Sequence, residues 1–100
     1  MELISMKQYL GNDGLVRLFG STSRARILSL LSGQPHQSLY QREIVLETGL
    51  SLQAVQRELR NLVKLGILKT HSDDNRVYYE INPASSFFGP LTEICSMYYK

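Results

Sequence analysis

Residues 40–66 read YQREIVLETGLSLQAVQRELRNLVKLG, and the remaining residues are best understood as support for this stretch. It predicts two helices joined by a tight turn at Thr48-Gly49-Leu50. Gly49 supplies the backbone freedom that a helix C-terminus uses. Ser51 falls where the next helix wants an N-cap, with a hydroxyl able to accept a bond from an early backbone N–H. Strong helix formers then run to Gly66, which closes the second helix as Gly49 closes the first.

The second helix, expected over residues 52–65, has two opposed faces when stepped at about 100° per residue. Leu52, Val55, Leu59, Leu62 and Val63 share an apolar arc that something must cover. Gln53, Gln56, Arg57, Arg60 and Lys64 share the other, with Asn61 at its border and small Ala54 among them. Amides and guanidinium groups in this arrangement suit nucleic acid. Gln pairs with adenine, Arg with guanine, and Lys or Arg with phosphate. The helix, roughly 20 Å long, is narrow enough for the major groove, about 12 Å wide. A merely solvated face would be rich in Lys and Glu together; here the lone Glu58 lies to one side. Short helix, glycine, capped turn and long helix in succession form the signature of a helix-turn-helix.

One hundred residues with 43% hydrophobic content predict one small ordered domain over residues 1–100, with enough apolar surface for a core. The net charge of +2 does not by itself point to a polyanion. Its distribution does, since Arg57, Arg60, Lys64 and Lys69 face only Glu58 between residues 51 and 70. Cys95 is the only cysteine. That excludes an intramolecular disulfide and a thiolate-rich zinc site, and it fits a reducing cytoplasm. No apolar run approaches the length of a membrane span, and MELISMKQYL lacks the apolar core of a signal peptide.

In residues 1–13, Leu3, Ile4, Met6, Tyr9 and Leu10 could form a short amphipathic helix, and Gly11-Asn12-Asp13-Gly14 reads as a breaker. Leu15 to Phe19 reads as a short apolar helix. Arg24 to Ser32 predicts a core helix with Ser21 or Ser23 as its cap and Ile27, Leu28, Leu30 and Leu31 on a broad apolar face. Arg24 and Arg26 at its start are read as either phosphate contacts or solvated charges. Ser38-Leu39-Tyr40 reads as a short strand leading into the first motif helix, about 41–48, where Ile44 and Val45 face the core. Gln41 and Arg42 sit at the positive end of that helix, placed to meet a phosphate.

After Gly66 the period changes to that of strands. Residues 67–72 and 76–81 predict a hairpin around Asp73-Asp74-Asn75, since Asn75 tolerates a positive φ. Val77, Tyr79 and Ile81 share one face of the second strand; Arg76, Tyr78 and Glu80 share the other. Residues 90–99 read as a last helix with Pro90 at or near its first position. Leu91, Ile94, Cys95 and Tyr98 line one side, which either packs back on the domain or meets a second copy as a dimerisation helix.

The order of elements resembles a winged helix-turn-helix transcriptional regulator of the ArsR-like group: mainly α with a small β-hairpin. The resemblance rests on LFGSTSRARILSLL, YQREIVLETGLSLQAVQRELRNLVKLGIL and NRVYYEINP, within a core of about residues 15–83. Residues 84–100 follow as the terminal helix and its approach. The chain is also similar to winged-helix modules associated with nucleotidyltransferases, although no nucleotidyltransferase domain lies in these residues. The resemblance implies that Ser51 caps the recognition helix and that Gln53, Ala54, Gln56 and Arg57 lie toward the groove. It implies a wing reaching minor groove or phosphate through Arg76, with Asn75 and Tyr78 beside it. It also implies a homodimer on an inverted repeat whose half-site centres lie about 34 Å apart. Metal-sensing members carry paired cysteines on the helix that here reads QREIVLET, so thiolate metal sensing at that place is excluded. Asp73 and Asp74 argue against deep insertion of the wing tip.

No glycine-rich phosphate loop, metal-ligand cluster or nucleophile with a recognisable base is present in the sequence, which argues against an enzyme and against a cofactor. His36 and His71 stand alone and are expected at the surface, and Cys95 reads as a small core hydrophobe. The expected partner is double-stranded DNA, with phosphate contacts from Arg42, Arg60, Lys64 and Arg76. The competing reading is a winged-helix protein–protein interaction module. Such a module should expose apolar residues on the helix of residues 52–65, and this one exposes Gln and Arg. RNA binding would call for an aromatic stacking platform that the sequence does not make evident.

Overall fold

Five helices and three short strands follow one another through residues 13–98, the residues described by the computed structural model. In order they are α1 (Asp13–Phe19), α2 (Thr22–Ser32), β1 (Leu39–Tyr40), α3 (Gln41–Thr48), α4 (Leu52–Lys64), β2 (Leu68–Asp73), β3 (Arg76–Ile81) and α5 (Phe88–Tyr98). The reading of Leu3 to Leu10 as a short helix lies outside the described residues.

The centre of the fold is α2. Ser21 caps it, its hydroxyl accepting from the Arg24 N–H at 3.1 Å. Ala25, Ile27, Leu28, Leu30 and Leu31 are all buried, so this helix is apolar on nearly every side and must be surrounded. It packs against α1, α3, α4 and α5. Val55, Leu59 and Leu62 of α4 and Ile44 of α3 complete the core from the helix-turn-helix side. Fully burying one such side chain stabilises the fold by roughly 1.5–3 kcal/mol. Leu52 departs from the expected apolar arc and is 49% exposed. It is the first residue of α4 and lies outside the core cluster.

Both motif helices end as their glycines require. Gly49 adopts φ +71° and donates its N–H to the Val45 carbonyl at 2.9 Å. Gly66 adopts φ +79° and donates to Val63 at 2.9 Å, while Ile67 donates to Leu62 at 3.1 Å. That pair of bonds is a Schellman motif, sealed by the buried side chains of Leu62 and Ile67.

The strands form one antiparallel sheet in the order β1-β3-β2. Leu68 pairs with Ile81 at the base of the hairpin and Asp73 with Arg76 at its tip. Asp74 and Asn75 both take positive φ, 57° and 67°, the two-residue turn whose twist matches that of paired strands. At the base, the Asn82 side-chain amide donates to the Gly66 carbonyl at 3.0 Å, and its backbone N–H donates to Ile67 at 2.9 Å. Asn82 therefore fixes the hairpin against the end of α4.

Two local expectations are corrected. Helix α1 begins at Asp13, so Gly14 lies in its first turn rather than in a breaker. Helix α5 begins at Phe88, which makes Pro90 its third residue, still where a missing N–H costs nothing. Leu91, Ile94 and buried Cys95 pack back onto the core beside α1 and α2. The outward apolar side chains near this end are Leu18, Phe87 and Met97, with 57%, 48% and 68% exposure.

Candidate nucleic-acid interface

Ser51 caps the start of helix α4, its hydroxyl accepting from the Ala54 N–H at 3.1 Å. With that end capped and Val55, Leu59 and Leu62 locked into the core, the rotation of the helix about its axis is set. Gln53, Gln56, Arg57, Arg60 and Lys64 are then all exposed to solvent, and Ala54 is half-buried among them. Glu58, the only carboxylate on α4, is turned away and 6% exposed.

Clefts border this helix on both sides. Toward the wing, Gln56, Arg60, Val63 and Lys64 face Gln41 of α3 and Thr70, Val77 and Tyr79 of the hairpin across about 520 Å3. That cleft continues along the sheet edge past Tyr40, Gln41, Arg42 and Arg76. On the far side, Arg57, Glu58, Arg60, Asn61 and Lys64 of α4 face Arg24 of α2. Arg60 and Lys64 line both sides, so they stand at the crest of the helix. The polar face is a cationic ridge with a trough on either flank, the shape complementary to a major groove and its phosphate walls.

The wing carries an ordered stack. Arg76 lies with its guanidinium carbon 4.4 Å from the centroid of the Tyr40 ring. Tyr40 meets Tyr78 edge to face at 5.7 Å, and His71 stacks on Tyr78 at 5.3 Å. Cross-strand pairing produces this row, since β3 sets Tyr78 opposite both Tyr40 and His71. Below it, Glu80 accepts from Ser38 at 2.9 Å and lies 3.6 Å from Lys69. Lys69, counted with the basic excess in the sequence, is therefore partly neutralised.

The structure brings Gln41, Arg42, Gln56, Arg60, Lys64 and Arg76 onto the wing-side clefts and Arg57, with Arg60 and Lys64, onto the cleft of the opposite flank. Ser51, Gln53, Ala54, Asn75 and Tyr78 do not line them; Ser51 and Gln53 project from the start of α4, and Asn75 sits at the wing tip. The sequence reading missed Tyr40, Thr70, Val77 and Tyr79 as lining residues. Val77, read as sharing a strand face with Tyr79 and Ile81, is 46% exposed and lines the cleft that faces α4. Arg24 and Arg26, read as phosphate contacts or solvated charges, are both held within the fold. Arg24 pairs with Glu58, and Arg26 donates to the Thr48 carbonyl at 3.0 Å.

Among the described residues, no group of three or more His, Cys, Asp or Glu side chains could hold a metal ion. Cys95 is buried and unpaired, and burial raises the pKa of its thiol. Within the same residues no helix is long and apolar enough to cross a membrane.

Known structures share this fold. A predicted DNA-binding transcriptional regulator from E. coli superposes with a TM-score of 0.63 at 25% identity, over 84% of this chain and 81% of that one. A MarR-family transcriptional regulator from Silicibacter pomeroyi gives a TM-score of 0.70 at 18% identity, over 99% of this chain and 66% of its own. A mutant of Staphylococcus aureus MepR bound to an oligodeoxyribonucleotide gives 0.67 at 17% identity, over 95% and 70%. No curated protein matches the chain. The ArsR-like assignment is corrected by the sequence model of the MarR family, which matches residues 21–76. The stretches behind that assignment encode the shared winged-helix core, and the core does not separate one group of these regulators from another. Its mainly helical fold, its three-stranded wing sheet and that match together establish that the chain belongs to the MarR family of winged-helix transcriptional regulators.

Proposed function

We propose that the protein binds double-stranded DNA sequence-specifically as a cytoplasmic homodimer, with α4 in the major groove and the wing on the adjacent backbone or minor groove. The observation that carries the reading is the exposed face of α4, where Gln53, Gln56, Arg57, Arg60 and Lys64 stand together while the helix's one carboxylate is buried. Gln53, Gln56 and Arg57 read base edges. Arg42, Arg60, Lys64 and Arg76 hold the backbone, as does Gln41 at the positive end of α3. Ser51 holds the start of the recognition helix. Asn75 and Tyr78 shape the wing, and the acidic pair Asp73-Asp74 keeps its tip shallow. We assign no catalytic step and no cofactor to the chain.

Leu18 and Met97 support the dimer, since α1 and α5 touch each other and both leave apolar side chains outside the core. Selection from a random duplex pool, with binding followed against salt, tests the whole reading. An enriched inverted repeat with half-sites about 34 Å apart is expected. Loss of all binding near physiological salt, without an enriched motif, would instead favour a protein-interaction module. Met97→Asp and Leu18→Asp should give a folded monomer by sedimentation; a dimer surviving both changes places the seam elsewhere.

A further inference from the structure

We propose that Arg24 is a positioning residue for DNA recognition, holding the Glu58 carboxylate away from the cations of the reading face. This inference rests on α4 being the recognition helix. The pair is two-pronged: Arg24 Nε donates to Glu58 Oε2 at 2.7 Å and Nη2 donates to Oε1 at 3.3 Å. The Glu58 side chain is 8% exposed and that of Arg24 35%. The Glu58 hydrogen bond is also the main influence raising the Arg24 pKa, with burial opposing it.

The setting gives the pair its consequence. Glu58 shares a cleft with Arg57, Arg60, Asn61 and Lys64, and Arg24 forms the opposite wall. Remove the guanidinium, and a nearly buried carboxylate loses its partner. An unpaired buried charge is strongly unfavourable, so the side chain turns toward water. The way out leads through that cleft, among cations that the proposed function assigns to DNA. A carboxylate there neutralises one of them and repels phosphate. Arg24 thus keeps the reading face free of negative charge without touching DNA.

Arg26 provides a second point of attachment. It donates to the Thr48 carbonyl at the C-terminal end of α3, 3.0 Å away, where a positive charge also complements the negative end of the helix dipole. Two arginines near the start of α2 therefore grip both helices of the motif, one each.

The test uses the full-length protein with Arg24→Gln, Glu58→Gln and the two combined. Duplex affinity is measured across a range of salt concentrations, beside amide hydrogen exchange of the free protein. Arg24→Gln is expected to weaken binding on the order of tenfold and to flatten the salt slope by about one ion, the signature of one lost phosphate contact. Glu58→Gln should bind at least as well as wild type. The double variant should recover to within about threefold of wild type with the original slope. A role confined to stability would weaken all three in step with their exchange protection and leave the slope unchanged. Either that pattern or a double variant no better than Arg24→Gln overturns the proposal. Wild type that binds no duplex sinks the DNA reading instead. The exchange data still judge the pair, because protection of α4 must fall in Arg24→Gln and return in the double variant.

Discussion

Arg76 on the wing and Tyr40 at the head of α3 are held together, with the guanidinium carbon 4.4 Å from the ring centroid. The contact ties the wing to the first helix of the motif and presents a fixed cation beside Gln41 and Arg42. Arg76→Ala is expected to weaken binding to all duplexes about equally and to flatten the salt slope by roughly one unit. Tyr40→Leu keeps the charge but loses about 0.5–1 kcal/mol of cation–π interaction, so it should cost less affinity and leave the slope intact. Titrations at several salt concentrations separate the two. An unchanged slope in Arg76→Ala removes the wing from the phosphate contacts.

Arg57 and Lys64 should differ in kind. Arg57→Ala is expected to cost about 1–3 kcal/mol on the preferred site and to relax selection at one base position. Lys64→Ala should weaken all sequences together and lower the salt slope. Repeating the selection with each variant gives the answer. If Arg57→Ala lost affinity equally on every sequence, Arg57 would be a phosphate contact.

The turn of the motif can be tested through stability. Ser51→Ala removes the acceptor for the Ala54 N–H and should cost about 1 kcal/mol. Gly49→Ala should cost about 1–2 kcal/mol. The reason is conformational: a Cβ at Gly49 would meet only Arg26 Nη1 at 3.9 Å, while φ is +71°. Urea unfolding measures both. A neutral Gly49→Ala would mean that the turn readily adopts another backbone path.

Cys95 sets a pH dependence of known sign. Burial raises its thiol pKa above the ordinary 9.0, so the folded state holds this proton more tightly than the unfolded chain. Its contribution to stability is fully present below pH 9.0 and is lost as pH rises through the folded-state pKa. Comparing wild type with Cys95→Ala in urea at neutral and alkaline pH isolates it from the tyrosines and lysines. Wild type should lose more stability over that interval. A parallel loss in both would mean that Cys95 is readily ionised in the fold.

Much of the candidate site's local geometry was legible because its signals are local. Gly49, Ser51 and Gly66 mark helix ends through bonds to residues only a few positions away. The alternation of faces along α4 follows from helix geometry alone. Leu52 departed from the apolar arc because burial depends on what other elements reach, and at the first residue of α4 it stays 49% exposed. Arg24 and Arg26 resisted reading for a related reason. An arginine at a helix start looks the same in sequence whether it meets phosphate, water or a carboxylate 34 positions away.

The sequence by itself determined the helix-turn-helix, the capped recognition helix, the hairpin and the polar-basic face, since each arises from period, cap or turn chemistry within a short span. Only the tertiary structure decided that Glu58 turns inward to Arg24, that Arg76 lies over Tyr40, and that Leu91 and Ile94 face the core. These are contacts between distant segments, fixed by how helices pack around α2 and how three strands align. Side-chain partners of that kind are chosen by proximity, and proximity exists only once the chain has folded.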